Sequence, residues 1–421
     1  MTDTANWDWE TKEKLVSDLN EWKDSYNWVE EPYVSPDGEK IAAIVNTDDM
    51  EFNVCENAEV WEIEAPFEKA YSLRYSPDGR LVVLAASDDE WKPFVDGVPW
   101  ESVFDFIWDL RFSKDGKTIV VASQTDMEYC MVLNDVPWEE AYPFITGMTL
   151  SDNGEKTGSV VQTIPLGQAE VFKFQEGAFS AAVNGVPWDI NFVNVWKPAF
   201  SSDASSLAAE VRLTLYDYTI AVDGKPWNTI YGCVWQPIFH PETKGVIAPV
   251  KLKDGWTLAQ DDNVLWDSRF TQVWHQMVSP KSGKIAAIVA PSYGKWTVAV
   301  DGKPWGITFG DMVTDAVFSP DGSRVACIGT NKQQYTIGDS GKAWDIKCDM
   351  AWKPVFSPDG SKIAAKIDKD GKKTIAVDGK LWNRMCDEVW EPVFSPDGSK
   401  ILCRSMEEGK YYRRVIPVSE F

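Results

Sequence analysis

Nearly the same sequence segment occurs twice near the C-terminus. WKPVFSPDGSKIAAK runs from Trp352 to Lys366, and WEPVFSPDGSKILCR runs from Trp390 to Arg404. The turn in this line recurs, in full or in weaker form, at ten positions that lie 37 to 50 residues apart. These positions begin at Ser35, Ser76, Ser113, Ser151, Ser201, His240, Ser279, Ser319, Ser357 and Ser395. A period of this length indicates a repeat architecture in which each unit is one small supersecondary element.

Each unit has the pattern of four short antiparallel strands, here called A to D in chain order. Apolar alternation precedes the SPDG turn, a run such as KIAAKI follows it, a third run ends in Asp-Gly or Asn-Gly, and a fourth begins at a tryptophan. These dipeptides suit tight hairpin turns, and no stretch between the runs has room for a crossover helix. The pattern predicts an all-β protein, a β-propeller of ten four-stranded repeats of about 39 residues. Since ten blades exceed the usual four to eight, two smaller propeller rings remain the alternative.

The two ends of the chain are predicted to complete one blade together. The tenth unit supplies strands A to C and then stops at Phe421. The segment Glu21–Val29, EWKDSYNWV, has the strand D layout of Leu381–Val389, LWNRMCDEV. A strand near the N-terminus that pairs with the C-terminal blade would leave no open sheet edge.

This closure divides the chain into two parts. Residues 1–20 are predicted to form an N-terminal arm, in which Leu15, Val16 and Leu19 lie at the spacing of a short helix. Residues 21–421 form the propeller, with an insertion in the fourth repeat at about 165–177. Insertions in repeat arrays fall in loops, often on the binding face, although simple loop drift would look the same.

The chain contains 22 tryptophans, and alignment of the units sorts most of them into columns. We expect the strand D column to be a structural ladder between neighbouring sheets, because each indole can bury a large area. Its members are Trp22, Trp61, Trp100, Trp138, Trp188, Trp227, Trp266, Trp305, Trp344 and Trp382. The column at the head of strand A could be core or an aromatic rim that binds a partner. Its members are Trp108, Trp196, Trp235, Trp274, Trp352 and Trp390.

Composition excludes several classes of protein. With 65 acidic and 41 basic residues the formal net charge is −24, which disfavours binding to nucleic acid and to anionic lipid. The start, TDTANWDWE after Met1, lacks the features of a secretory signal, and no segment is apolar enough for direct membrane insertion. The sequence therefore predicts a cytoplasmic protein.

Residues for catalysis or for cofactor binding are scarce. The seven cysteines are scattered without a CxxC pair, and two histidines, His240 and His275, are too few for a three-histidine metal site. No nucleophile elbow, HExxH, P-loop or dinucleotide-binding glycine motif is present. We expect no catalytic residue, no metal and no cofactor, although a carboxylate pair of the glycosidase type stays open. The aspartates of the SPDG turns are better explained by local backbone hydrogen bonds.

The FSPDGSKIAA units resemble the WD40-like propeller repeats of the TolB type, over most of the chain. The tryptophan count, the VDGKPW and LNDVPW lines and the lack of cofactor motifs resemble a narrower family, TmcD. These are the tryptophan-rich cytoplasmic subunits of the transmembrane electron-transfer complexes of sulfate-reducing bacteria. The resemblance implies protein partners, among them iron–sulfur or membrane subunits of a redox complex, and it assigns no catalytic residue.

The function expected on these grounds is a non-catalytic, protein-binding scaffold, an accessory cytoplasmic subunit of a membrane-associated electron-transfer complex. Such a subunit would lie at the inner membrane only through its partners. The alternative is a propeller enzyme or a saccharide binder that uses the central channel, where carboxylates such as Glu30 and Glu391 would meet sugars stacked on indoles. A free-standing scaffold with unrelated partners is a third reading.

Overall fold

The computed structural model describes residues 4–421, which form ten small antiparallel sheets. Each sheet is a meander of strands A to D, so the protein is an all-β, ten-bladed β-propeller, as predicted. We number the blades 1 to 10 by the unit that supplies their strands A to C. In blades 1, 9 and 10 strand A is split into two short pieces, which makes five pairing segments in those sheets.

Strands A and D lie at the two edges of each sheet. The A strands, from blade 1 to blade 10, are Trp28–Val29 with Tyr33–Val34, Lys69–Tyr75, Phe106–Phe112, Ile145–Leu150, Asn194–Phe200, Ile238–Phe239, Gln272–Val278, Met312–Phe318, Met350–Ala351 with Val355–Phe356, and Glu388–Val389 with Val393–Phe394. The D strands of blades 1 to 9 are Glu59–Val60, Val98–Pro99, Val136–Pro137, Val186–Pro187, Lys225–Pro226, Asn263–Val264, Lys303–Pro304, Lys342–Ala343 and Lys380–Leu381.

Strands B and C form the central hairpin. The B strands are Ile41–Asp48, Leu81–Ser87, Ile119–Thr125, Thr157–Gln162, Leu207–Arg212, Val246–Leu252, Ile285–Ser292, Val325–Asn331, Ile363–Lys369 and Lys400–Glu407. The C strands are Glu51–Glu56, Glu90–Val95, Glu128–Leu133, Phe179–Val183, Tyr218–Val222, Gly255–Gln260, Lys295–Val300, Gln334–Asp339, Lys372–Val377 and Lys410–Pro417. The first five residues of most B strands are fully buried, because both faces of the sheet are covered.

The Asp-Gly turn between strands C and D has two roles. In blade 2, Asp96 and Gly97 both adopt positive φ, at 49° and 81°, as a tight hairpin turn requires. The Asp96 carboxylate also accepts a hydrogen bond of 2.8 Å from the backbone N–H of Leu81, at the start of strand B. An Asp or Asn makes the equivalent bond in seven further blades. The turn dipeptide therefore also fixes the first residue of the B strand.

The N-terminus closes blade 10, but with a different segment from the one predicted. Glu13–Asp18 is strand D, antiparallel to Lys410–Pro417, and a short helix follows at Leu19–Ser25. The predicted strand Glu21–Val29 is therefore wrong, and the predicted helix lies several residues too early. Asp18 explains the position of the helix, because its side chain caps it by accepting from the N–H of Asn20.

Trp22 still lies against the closing sheet. It is fully buried in a cluster with Tyr411 of blade 10 and with Val34 and Ile41 of blade 1. The closing strand is also held by charge, because Arg414 donates to Glu13 at 2.7 Å. The remaining helices are Val171–Glu176 and a 3₁₀ turn at Val418–Glu420.

The described chain divides into two compact units. The first, Asp48–Asn53 with Trp61–Asp267, contains blades 2 to 6 and the tip of the B–C hairpin of blade 1. The second, residues 4–47 with Val54–Val60 and Ser268–Phe421, contains the rest of blade 1 and blades 7 to 10. Within each unit, apolar clusters join every blade to the next along the chain. The core is thus a series of similar interfaces between sheets.

Candidate functional site

The aspartates of the SPDG turns hold the turns themselves. In blade 9 the hydroxyl of Ser357 donates to Asp359 at 2.6 Å, and the N–H of Ser361 donates to the same oxygen at 3.0 Å. The hydrogen bond from Ser357, followed by those from Ser361, lowers the pKa of Asp359 to about 2. The same pair of bonds recurs at Asp397 in blade 10. These carboxylates are turn-forming groups, which is the reason they recur in the sequence.

The tryptophans of the strand D column were predicted to begin strand D, but in the structure they follow it. Each one after Trp22 directly follows the two-residue D strand, except Trp266, which follows one residue further on. Three members are buried, namely Trp22, Trp266 and Trp382. The others are half-buried: Trp61, Trp100, Trp138, Trp188, Trp227, Trp305 and Trp344.

The partner of this column is the glycine in the C–D turn of the next blade. A Cβ atom on Gly185 in blade 4 would lie 3.1 Å from Trp138 of blade 3. The same contact joins Trp188 to Gly224 in blade 5, at 3.2 Å. The glycine therefore serves both the positive φ of its turn and the close approach of the neighbouring indole. In these two pairs the indole lies between two successive sheets.

The sequence analysis did not identify a further column, the loop residues that pair with the strand C aromatics. The C-strand aromatic of most blades forms an antiparallel bridge with a residue of the following D–A loop, for example Tyr129 with Tyr142 and Trp296 with Phe309. Most of these loop residues come four positions after the strand D tryptophan. They are Phe67, Phe104, Tyr142, Phe192, Tyr231, Phe309, Cys348 and Cys386. The spacing Trp-x-x-x-Phe/Tyr/Cys is visible in the sequence and could have identified the bridge.

The six strand A tryptophans are divided between the two units. Trp108, Trp196 and Trp235 belong to the first unit, and Trp274, Trp352 and Trp390 belong to the second. Only Trp235 and Trp274 are exposed, at 39% and 40%, and the other four are half-buried.

The two exposed indoles are each backed by another indole. The ring centroids of Trp235 and Trp256 are 5.4 Å apart with an angle of 2° between the planes, and those of Trp274 and Trp296 are 5.1 Å apart at 12°. Trp196 stacks on Tyr218 in the same way, at 6.3 Å and 22°. These pairs hold flat aromatic faces in fixed orientations.

The clearest exposed apolar surface lies on the B–C turns of blades 3 to 5. Met127, Phe172 and Tyr216 are 74%, 82% and 81% exposed, and each lies in the turn or insertion that follows strand B. Phe172 lies on the helix Val171–Glu176, inside the predicted insertion. Because the three residues lie in the B–C connections of successive blades, we treat Met127, Phe172 and Tyr216 as one feature, the turn surface. A large exposed apolar side chain on three successive turns is unusual for a surface.

Charged residues occupy one buried position of strand B in only three blades. The fourth residue of the B run is Ile44 in blade 1 and Leu84 in blade 2, but Glu210 in blade 5, Lys366 in blade 9 and Arg404 in blade 10. This residue lies beside the head of strand A, so Glu210 pairs with Trp196 across the sheet.

Both basic residues at this position have partners within the chain. Lys366 Nζ lies 2.6 Å from Glu388 and 4.2 Å from the centre of the Trp352 ring. Arg404 donates to the backbone oxygens of Ser35 and Glu391, at 3.0 and 2.8 Å. Glu210 differs, because its Oε1 is buried and has no hydrogen-bond partner. Burial raises the pKa of Glu210 to about 7, against a smaller opposing effect of Lys197.

The histidines are used for structure. His240 Nδ1 accepts from the N–H groups of Glu242 and Thr243, both at 3.2 Å, within the A–B turn of blade 6. His275 Nε2 lies 3.1 Å from the backbone oxygen of Ala316 in the next blade. Over residues 4–421, no three His, Cys, Asp or Glu side chains are grouped so as to hold a metal ion. None of the helices in that range has the length and hydropathy needed to cross a bilayer.

Two clefts between neighbouring blades lie at equivalent places. One lies between blades 5 and 6 beside Trp227, and the other lies between blades 2 and 3 beside Trp100, with volumes of about 460 and 430 Å³. Each is bordered by the residues of a C–D turn and by the start of the next B strand. Their recurrence beside ladder tryptophans identifies them as products of the repeat.

Comparison with known proteins adds little to the fold. No family model matches the chain, and none of the curated proteins matches it either. Among solved structures, a eukaryotic initiation factor matches with a TM-score of 0.47 and 11% identity, over 80% of this chain and 89% of that one. The Dos1 propeller matches at 0.34 and 13%, over 96% and 95%. An oligogalacturonate lyase in complex with manganese matches at 0.36 and 13%, over 84% and 98%. Similarities at this level carry no conclusion about the function of this chain.

Proposed function

We propose that the chain is a non-catalytic, protein-binding propeller that serves as an accessory cytoplasmic subunit of a membrane-associated electron-transfer complex. The observation that carries the binding role is the turn surface of blades 3 to 5. Met127, Phe172 and Tyr216 expose most of their side chains on turns that need no apolar residue for folding. Exposed apolar side chains on successive turns are typical of surfaces that a partner protein covers.

The charge of the chain supports a polypeptide partner over a polyanion. At a formal net charge of −24 the mean field repels nucleic acid and anionic lipid, so attraction to those surfaces would have to overcome it. An apolar patch in an acidic surround favours a partner with an apolar centre and a basic rim. The resemblance to the tryptophan-rich subunits of redox complexes gives the finer part of the proposal, namely iron–sulfur or membrane subunits as partners.

Native co-purification tests this proposal. The tagged wild-type chain is expected to retain a stoichiometric partner that mass spectrometry and iron content identify as a subunit of a redox complex. The triple substitution Met127→Ser, Phe172→Ser and Tyr216→Ser should release that partner without loss of folding, because all three side chains are exposed. Tyr293→Ser is the matched control, since Tyr293 is 96% exposed on the B–C turn of blade 7.

Two results would contradict the proposal. A wild-type chain that purifies alone, without an iron–sulfur or membrane partner, removes the subunit role. A triple variant that keeps the partner as firmly as Tyr293→Ser removes the turn surface from the contact.

The stacked indoles favour a second candidate, a saccharide binder. Trp235 and Trp274 present exposed flat faces that Trp256 and Trp296 hold in place, and such faces suit the apolar side of a sugar ring. Saturable quenching of indole fluorescence by a saccharide, abolished by Trp235→Ala or Trp274→Ala, would support this candidate over the first.

A further inference from the structure

Two interfaces between neighbouring blades have residues of opposite charge at one equivalent position of strand B. Between blades 9 and 10, Lys366 lies between the Trp352 ring and Glu388. Lys373 also reaches Glu388, at 2.7 Å. An ammonium group therefore has two complementary partners in this interface, an indole face and a carboxylate.

The interface between blades 5 and 6 has the counterparts of these residues. Glu210 is the fourth residue of its B run, as Lys366 is, and Trp196 heads its A strand, as Trp352 does. Cys233, two residues before Trp235, takes the position that Glu388 has two residues before Trp390. Here the carboxylate is present and the ammonium is absent.

Glu210 has the properties of a group that lacks its partner. Its side chain is only 6% exposed, and its Oε1 accepts no hydrogen bond within the chain. A buried carboxylate without a donor is unfavourable, and native proteins keep few of them. The side chains of Glu210 and Cys233 are shorter than those of Lys366 and Glu388, so this interface contains fewer atoms at the corresponding place.

The surroundings supply no internal counter-ion at contact distance. Trp196 and Cys233 are both half-buried, so each keeps part of its own surface in contact with solvent. The nearby cations are committed elsewhere: Arg212 lies over the Tyr218 ring at 5.9 Å, and Lys251 lies over the Trp256 ring at 5.7 Å. Lys197, next to Trp196, acts on Glu210 through charge only.

We infer that Glu210, together with the face of Trp196 and the edge of Cys233, binds one aliphatic ammonium group that comes from outside the chain. The carboxylate pairs with the ammonium, and the face of Trp196 that is not stacked on Tyr218 covers the alkyl stem, as Trp352 covers Lys366. A lysine side chain of a partner and a free primary amine carry the same group, so either can occupy the site.

Binding is coupled to a proton. Where the Glu210 carboxyl is still protonated, an arriving RNH₃⁺ displaces that proton to solvent and leaves the carboxylate paired with the ammonium. At about pH 6 binding should therefore release close to one proton, and at about pH 8 it should release almost none. Cys233 lies near the same position, and its thiol does not account for proton release over that range, because burial raises its pKa.

The test is a calorimetric titration of the whole chain with n-butylammonium chloride. Repeating it in buffers of different ionisation enthalpy measures the number of protons released. For so small a ligand we expect a Kd on the order of 1 to 10 mM. Glu210→Gln should weaken binding at least about tenfold and abolish proton release, and Trp196→Leu should weaken it about fivefold. Trp108→Phe is the matched control, because Ala122 takes the place of the carboxylate beside Trp108, and this variant should bind as the wild type does.

Each outcome of this test either supports or overturns the ammonium site. 1-Butanol, the neutral analogue, should not compete. If a peptide with a single internal lysine binds as tightly as n-butylammonium, the site accepts protein lysines as well. If only n-butylammonium binds, the site is restricted to free amines. Both results support an ammonium site. Absence of saturable binding, or equal binding by the wild type and the folded Glu210→Gln variant, overturns it. Neither result depends on whether the turn surface binds a partner.

Discussion

Replacement of Glu210 by glutamine removes a buried ionisable group while it keeps nearly the same volume. Burial raises the pKa of Glu210 from its ordinary value of 4.5 to about 7 in the folded chain. One pKa unit corresponds to about 1.4 kcal/mol, so a shift of this size is equivalent to roughly 3 kcal/mol. Glu210 is 6% exposed, so solvent screening reduces this figure little.

The sign follows from proton binding. Because the pKa is higher in the folded chain than in the unfolded chain, the folded chain holds the proton more tightly. As pH rises from 4.5 to about 7 the unfolded chain gives up the proton first, so the stability of the wild type falls across this window. Glutamine has no proton to lose. The stability advantage of Glu210→Gln over the wild type is therefore expected to grow by about 3 kcal/mol between about pH 4 and about pH 8.

Urea unfolding at a series of pH values measures this difference. The matched control is Glu388→Gln, in the corresponding interface. Burial acts to raise the pKa of Glu388, but hydrogen bonds from Lys366 and Lys373 outweigh it and lower the pKa. Loss of that carboxylate should destabilise the chain at neutral pH, and the effect should shrink as pH falls. A Glu210→Gln advantage that stays constant within about 0.5 kcal/mol across the range would refute the burial argument.

Two further predictions concern the framework. Trp382, which is 6% exposed, lies in the core between blades 9 and 10, so Trp382→Ala should cost about 3 to 5 kcal/mol in urea unfolding. Trp274→Ala, at an exposed indole, should cost about 1 kcal/mol, and equal losses would contradict the ladder. Arg414 is buried and pairs with Glu13 and Glu407, at 2.7 and 2.9 Å, so Arg414→Met should cost about 3 kcal/mol by leaving Glu407 without its partner. Glu13→Gln should cost about 1 kcal/mol, since its side chain is 44% exposed, and a larger loss for Glu13→Gln than for Arg414→Met would argue against this closure.

The repeat pattern predicted the blades well because each strand and turn is specified locally. The ten SPDG-like turns and the Asp-Gly dipeptides correspond to turns between strands, and period-two alternation marked the strands. The closing strand was misplaced because Glu21–Val29 and Leu381–Val389 match only at their tryptophans and at their final valines, and these do not mark strand D. In the structure this tryptophan follows the D strand, and Trp22 lies in the helix Leu19–Ser25, which comes directly after Glu13–Asp18.

The candidate sites were less predictable, because they depend on exceptions to the repeat. Glu210 lies in LAAEVRL, where one charge in a strand reads as an ordinary solvent-facing residue. Only the register with Trp196, and burial by the next blade, show that the carboxylate is inside. An alignment of the B runs would have separated Glu210, Lys366 and Arg404 from the apolar residues at the same position. The exposure of Phe172 depends on a short helix, and the sequence pattern of Pro165–Gly177 does not predict that helix.

Hydrogen exchange on the native complex tests the central claim most directly, because it reports where a partner covers the chain. Relative to the isolated chain, protection is expected at the B–C turns of blades 3 and 5 and along residues 165–177, with the B–C turn of blade 7 at Tyr293 unchanged. Protection confined to other regions, or no change at the turn surface when a partner is bound, would contradict the account.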